Sequence, residues 1–205
     1  MPNGHLVRHK KPSMEIKRQK PTFQELVDAV LEENRLLLKG VDAKAVEDFI
    51  RGITGAGSIF FFAQGRSGFI LRSFCMRLMH LGFQVYFCGE TITPAIGSDD
   101  LLVVLSGSGE TATTLESVKS AKKQNAMTCG ILGNTESGIA AQVDKIIHLP
   151  GTTKLCRETE PDSLQMAGSL FEQSAFLFLE AVVLFLYRER KAQVGRLSHR
   201  HTTIE

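Results

Sequence analysis

The four cysteines of this 205-residue chain, Cys75, Cys88, Cys129 and Cys156, include no C-x-x-C pair and no metal-ligand spacing. Cys75 falls in a helical pattern, and Cys88 and Cys129 fall in strand patterns. Neither a disulfide framework nor a metal site is expected, and reduced thiols point to the cytoplasm. An apolar leader is missing too: the first residues are polar and basic, so no secretory signal is expected. Glycine-rich turns are present, yet each lacks a residue that would define a familiar site. No Lys follows Ser106-Gly107-Ser108-Gly109, which argues against a nucleotide P-loop. Gly55-Ala56-Gly57 precedes its strand and has no third glycine, unlike a dinucleotide fingerprint. Gly65-Arg66-Ser67-Gly68 lacks the closing glycine of a nucleophile elbow. A basic body is also absent. Residues 1–20 hold six Lys/Arg against one Glu, so the formal net charge of +2 belongs to that arm and the remainder is mildly acidic. A nucleic-acid-binding surface on the globular part is therefore not expected.

What is present is organised around Leu101–Thr114, LLVVLSGSGETATT. An apolar run of strand character, Leu101–Leu105, breaks into small residues and resumes as helix from Glu110, with Ser108 placed as an N-cap. Backbone N–H groups of a first helical turn point out of the helix end, where the dipole favours negative charge. Gly107 and Gly109 leave room for a ligand to approach. Ser106, Ser108 and Thr111 add hydroxyls at the same point. The arrangement reads as a phosphate cradle at the carboxyl end of a parallel strand.

The rest of the chain supplies the scaffold. Residues 1–20 read as a basic, disordered arm. A capping box at Thr22 and Glu25 opens a first helix that ends at Gly40. A second runs from about Asp42 to Ile53. Strands then alternate with helices: Ser58–Ala63, a helix from the Gly65–Gly68 turn to Leu81, Gln84–Cys88, Leu101–Leu105, a helix to about Asn125, Met127–Leu132, a short helix near Ser137–Gln142, and Lys145–Leu149. Alternation of this kind predicts an α/β fold: a five-stranded parallel sheet between helices, doubly wound and flavodoxin-like. After a polar loop over residues 151–163, a long helix is expected from Leu164 to Arg190. Its centre, Ala175–Tyr187, is apolar on every side but short for a membrane span of about 20 residues, and Glu180 interrupts it. Burial on all sides, partly against a second subunit, is the expectation. The organisation is thus an arm, a single domain over 21–190, and a tail over 191–205.

Several motifs together resemble the sugar isomerase (SIS) domain family, and within it the 6-phospho-3-hexuloisomerases. These are Gly65-Arg66-Ser67-Gly68 followed by Met76-Arg77-Leu78-Met79-His80-Leu81-Gly82, GETITPAIG at Gly89–Gly97, SGSGET at Ser106–Thr111, and Gly168-Ser169-Leu170-Phe171-Glu172-Gln173. The resemblance spans residues 22–190. SGSGET alone marks a phosphosugar site; the GETITP and GSLFEQ segments narrow it. The chain departs from the family at Asp162–Ala167, and its tail Arg200–Glu205 keeps only the Arg, His and terminal Glu of the usual pattern.

The resemblance implies conversion of D-arabino-hex-3-ulose 6-phosphate to D-fructose 6-phosphate, in the ribulose monophosphate route of formaldehyde fixation. It implies no metal or organic cofactor. It also implies a homo-oligomer, usually a tetramer, with 3-hexulose-6-phosphate synthase as pathway partner and neither nucleic acid nor membrane as a partner. Moving a carbonyl from C3 to C2 takes a base that reaches both carbons and a group that shuttles protons between the oxygens. The family places its functional acid where Glu172 stands. His201 is the expected shuttle, reaching a neighbouring subunit's site, with His199 as competitor. The phosphate is expected on Gly65, Arg66, Ser67, Ser106, Gly107, Ser108, Gly109 and Thr111, with Thr153 and Lys154 nearby. His80 and Glu90 are weaker candidates. The alternatives are another aldose–ketose isomerase of the family and a non-catalytic phosphosugar-binding regulator.

Overall fold

The computed structural model describes residues 20–151 and 162–190. The arm, Thr153, Lys154, Cys156 and the tail with His199 and His201 lie outside the described residues. Thr22 and Glu25 form the expected capping box. It opens α1 (Phe23–Lys39), and Asp42 caps α2 (Ala43–Gly55). The alternation follows as β1 (Ile59–Phe62), α3 (Gly65–His80), β2 (Val85–Phe87), β3 (Leu101–Ser106), α4 (Ala112–Lys123), β4 (Met127–Leu132) and β5 (Lys145–His148), closed by α5 (Ser169–Glu189). All pairings are parallel, in the order β2-β1-β3-β4-β5. The expected five-stranded parallel sheet between helices is what forms.

Successive strand residues point to opposite faces, and the two faces are covered unequally. Ile59, Phe61, Leu101, Val103, Leu105, Ile131 and Ile147 face a core built with α1, α2, α3 and α5. Phe60, Leu102, Val104 and Leu132 face only α4 and the turn at Ile139. No helix joins β2 to β3. The 88–98 stretch crosses that face instead, leaving a groove of about 570 Å³ between Phe60, Phe62, Pro94, Ile96 and α4.

Three helix boundaries differ from the sequence expectation. α4 starts at Ala112 rather than Glu110, and its N-cap is Thr111 rather than Ser108. The cause is a loop that closes on itself: Gly109 N–H donates to Ser106 Oγ at 3.1 Å, and Glu110 N–H donates to Ser108 Oγ at 3.2 Å. Residues 137–142 form turns rather than a helix. Ser137 Oγ bonds Asn134 O and Ala140 N–H, and Ile139 N–H is taken by Gly109 O. One turn is too little to propagate a helix before β5 must begin.

α5 starts at Ser169, not Leu164, because Gly168 sits at φ 88°. The residues before it are pinned elsewhere: Glu33 of α1 accepts from Ser163 Oγ, Leu164 N–H and Gln165 Nε2. Nor is α5 buried on all sides. Leu170, Phe171, Ala175, Phe178, Leu179, Val182 and Leu186 enter the core, while Phe176, Leu177, Leu184 and Phe185 are exposed. By length and composition α5 would pass as a membrane span. Its polar contacts identify it as a core helix here: Ser174 Oγ donates to Asn34 Oδ1 at 2.8 Å inside the protein.

Candidate active site

The carboxyl ends of β1, β3, β4 and β5 meet the first turns of α3 and α5 at one edge of the sheet, where ligands of open α/β sheets bind. Phe171 is the joint. An atom placed at the Cβ position of Gly107 would lie 3.1 Å from its ring, and one at Gly151 would lie 2.9 Å from its backbone N. Gly133 in turn sits against the carbonyl of Gly107. The β3 and β5 tips are therefore packed directly onto the start of α5, with the β4 tip against the β3 tip, and the residue after Phe171 is Glu172.

The loop at the end of β3 is tightly built. Ser106 is buried, and its Oγ lies 3.3 Å from Thr111 Oγ1 in addition to its bond from Gly109. Gly109 adopts φ 69°. The opposite wall is the 134–138 turn, tied on by Glu110 Oε1, which accepts from Gly138 N–H at 3.1 Å. Ser108 and Thr111 are half-buried at the mouth. The N–H groups of the first turn of α4 have no acceptor within the helix. The result is a concave turn of small residues with backbone donors and hydroxyls, suited to an anion such as phosphate.

Across from it, Gly65, Arg66 and Ser67 form the first turn of α3 directly after β1. Arg66 does not stand free beside the loop. Its Nη2 lies 2.6 Å from Oε2 of Glu172, with the Arg66 side chain 65% exposed and that of Glu172 17%. The contact is one of charge and proximity only. Oε2 is buried and has no well-aligned hydrogen bond, the guanidinium included.

The sheet edge thus gathers Gly65, Arg66, Ser67, Ser106, Gly107, Ser108, Gly109, Thr111 and Glu172. It does not gather His80, in the last turn of α3 and about 20 Å along the helix from Arg66. Glu90 pairs with Arg72, whose guanidinium also lies 3.8 Å over the Phe87 ring, so both belong to the β2 edge. Among the described residues the thiols are not activated nucleophiles: burial pushes Cys75 and Cys88 up to about 11 and Cys129 to about 12. Sequence reasoning missed Phe171, Asn134 and Ser137. Only the run of glycines at 107, 133 and 151, each after a strand, hinted that something packs across the tips.

The SIS domain model matches residues 52–159, more than half of the chain. The chain belongs to the SIS domain family. Its matched stretch runs from the end of α2 through all five strands. Among curated proteins, the 3-hexulose-6-phosphate isomerase of Mycobacterium gastri is 39% identical over 165 residues, 80% of this chain and 82% of that one. The protein of the same name from Bacillus subtilis is 37% identical over 153 residues, 75% and 83% of the two chains. A crystal structure of a Methanococcus jannaschii protein, for which the function of 3-hexulose-6-phosphate isomerase was inferred, superposes with a TM-score of 0.76. That chain is 34% identical, with 88% of this SIS protein and 99% of the other covered.

Proposed function

We propose that this chain isomerises D-arabino-hex-3-ulose 6-phosphate to D-fructose 6-phosphate, as a cytoplasmic enzyme of formaldehyde fixation by the ribulose monophosphate route. The observation that carries the reading is the likeness, over three quarters or more of the chain, to proteins named for that activity. The site supports it in kind, because an anion loop and a carboxylate are held a fixed distance apart by Phe171.

The chemistry follows from the substrate. The C2 proton leaves to a base, C2=C3 becomes an enediol(ate), and a proton returns to C3 while the proton on O2 passes to O3. Electrons balance within the molecule, so the step has no net oxidation. Glu172 is the proposed base. Its backbone is set by α5, with its N–H bonded to Gly168 O at 3.0 Å, and its carboxylate is mostly screened from water. Ser67, Ser108, Thr111 and the N–H of Gly107 hold the phosphate, with Gly65 and Arg66 at the opposite rim, while Ser106 and Gly109, bonded to each other, shape the loop from inside. Holding a remote phosphate fixes C2 and C3 against the base, and that orientation contributes to catalysis.

His201 is the proposed shuttle between the oxygens. It is proposed to come from a second copy. α5 is about 30 Å long, and Arg190, bonded to Leu81 O at 2.8 Å, sits at the opposite edge of the sheet from Glu172. The exposed apolar side chains of α5 support a homo-oligomer; its size, a tetramer, and 3-hexulose-6-phosphate synthase as the source of its substrate belong to the same proposal.

The test is a coupled assay. The protein receives 3-hexulose 6-phosphate made in situ from formaldehyde and ribulose 5-phosphate, and fructose 6-phosphate is followed. Turnover of about 1–10³ per second is expected. Tight binding of the phosphosugar without turnover would move the chain to a phosphosugar-binding regulator; turnover of a pentose phosphate instead would move it to another isomerase. In E172Q, kcat should fall by about 10²–10⁴-fold with KM little changed.

A further inference from the structure

We propose that Arg66 is a positioning residue for the Glu172 carboxylate, acting on the rate through Glu172 rather than chiefly by gripping the phosphate. The inference rests on the reading of Glu172 as the base. Three observations carry it. The main chain of Glu172 has no freedom: Phe171 is wedged between Gly107 and Gly151, and the Glu172 N–H is held by Gly168 O. The carboxylate therefore moves only about its side-chain torsions. Among the described residues its ion-pair partner is Arg66, at 2.6 Å. And the oxygen that Arg66 faces, Oε2, is buried.

An arginine normally meets a carboxylate through two parallel N–H···O bonds, which would occupy both oxygens. Here the guanidinium approaches one oxygen off-line. It fixes where the carboxylate points by charge. A base that must reach both C2 and C3 benefits from such an arrangement, because its direction is set. The position of Arg66 fits the role. It stands in the first turn of α3, between Gly65 and Ser67 and facing the start of α5, so its charge bears on whatever occupies the sheet edge.

The test separates this role from phosphate binding. R66A, E172Q and the double variant are assayed for kcat and KM. Arg66 is itself exposed, but its loss leaves the buried Oε2 without its charge partner, so thermal melting of each variant checks that it remains folded at the assay temperature. The expected result is a fall in kcat of at least ten-fold for R66A with KM changed less than three-fold. In the E172Q background R66A should then lower kcat no further, because residues that act as a unit do not add. A rise in KM with kcat intact would make Arg66 a phosphate ligand and overturn the proposal. So would losses that multiply in the double variant. If E172Q alone keeps the parent kcat, the base assignment itself fails, and that result is read from a variant in which Arg66 is untouched.

Discussion

Gly109 shows how narrowly the anion loop is specified. Its φ of 69° is left-handed, and a Cβ there would lie 2.0 Å from Ser137 Oγ and 2.4 Å from Ser137 Cβ. Alanine in that conformation costs about 1–2 kcal/mol before any overlap is counted, and the overlap must push the 134–138 turn away from the loop. G109A should therefore weaken phosphosugar binding by at least ten-fold, measured by calorimetric titration. S137G should restore part of the loss, since the nearest atoms are those of Ser137. Full affinity in G109A alone would show that the loop tolerates the displaced turn. The sequence showed this loop clearly, because small residues after an apolar run have few other uses. It did not show which hydroxyls face outward. Ser106 is turned inward to Gly109 and Thr111, a choice made by the packing of the neighbouring turn and not by the local residues.

Among the elements, α5 is the one whose surroundings the sequence concealed. Its apolar character was legible; its start and its neighbours were not. Glu33 and Asn34 sit next to each other on α1 and meet residues some 130 to 140 positions away. The Glu33 carboxyl, pushed up by partial burial and more than compensated by bonds from Leu164, Gln165 and Ser163, ends below its usual range. Asn34 donates to Gln173 Oε1 and to Val30 O, and accepts from the fully buried Ser174 Oγ. N34A removes the acceptor and leaves that hydroxyl unpaired in the core, at about 1–3 kcal/mol. In a chain of this size each kcal/mol moves the melting temperature by about 2–4 °C. A drop of roughly 2–12 °C is expected in a circular-dichroism melt, with larger loss of kcat than a surface control at Lys119, since α5 carries Glu172. An unchanged melting temperature would mean that water replaces Asn34 at no cost.

At the scale of the molecule, the apolar side chains left outside stand out. Phe176, Leu177, Leu184 and Phe185 form one exposed face of α5, and Phe23, Leu26 and Leu31 lie exposed on α1. Faces of this kind on a folded chain mark association surfaces. L184E should reduce the mass measured by light scattering during size-exclusion chromatography to a smaller assembly without loss of helix content. If the parent already runs as a monomer, the oligomer reading fails. The alternation of strands and helices made the parallel sheet readable before any coordinates, but it concealed the imbalance of its two faces, because a pattern of elements does not say which side each helix takes.

That imbalance has an evolutionary consequence. The passage from β2 to β3 is pinned near its ends, by Thr93 Oγ1 donating to Phe87 O and by Asp100 accepting from Gly97 N–H. Between them Ile92 stands 80% exposed at the rim. A connection anchored at both ends, with its tip free of the core, behaves as a cassette. Thr91 and Ile92 are free to drift in sequence without unsettling the sheet, whereas Thr93 and Ile96 are held by the bond to Phe87 and by the second face of the core.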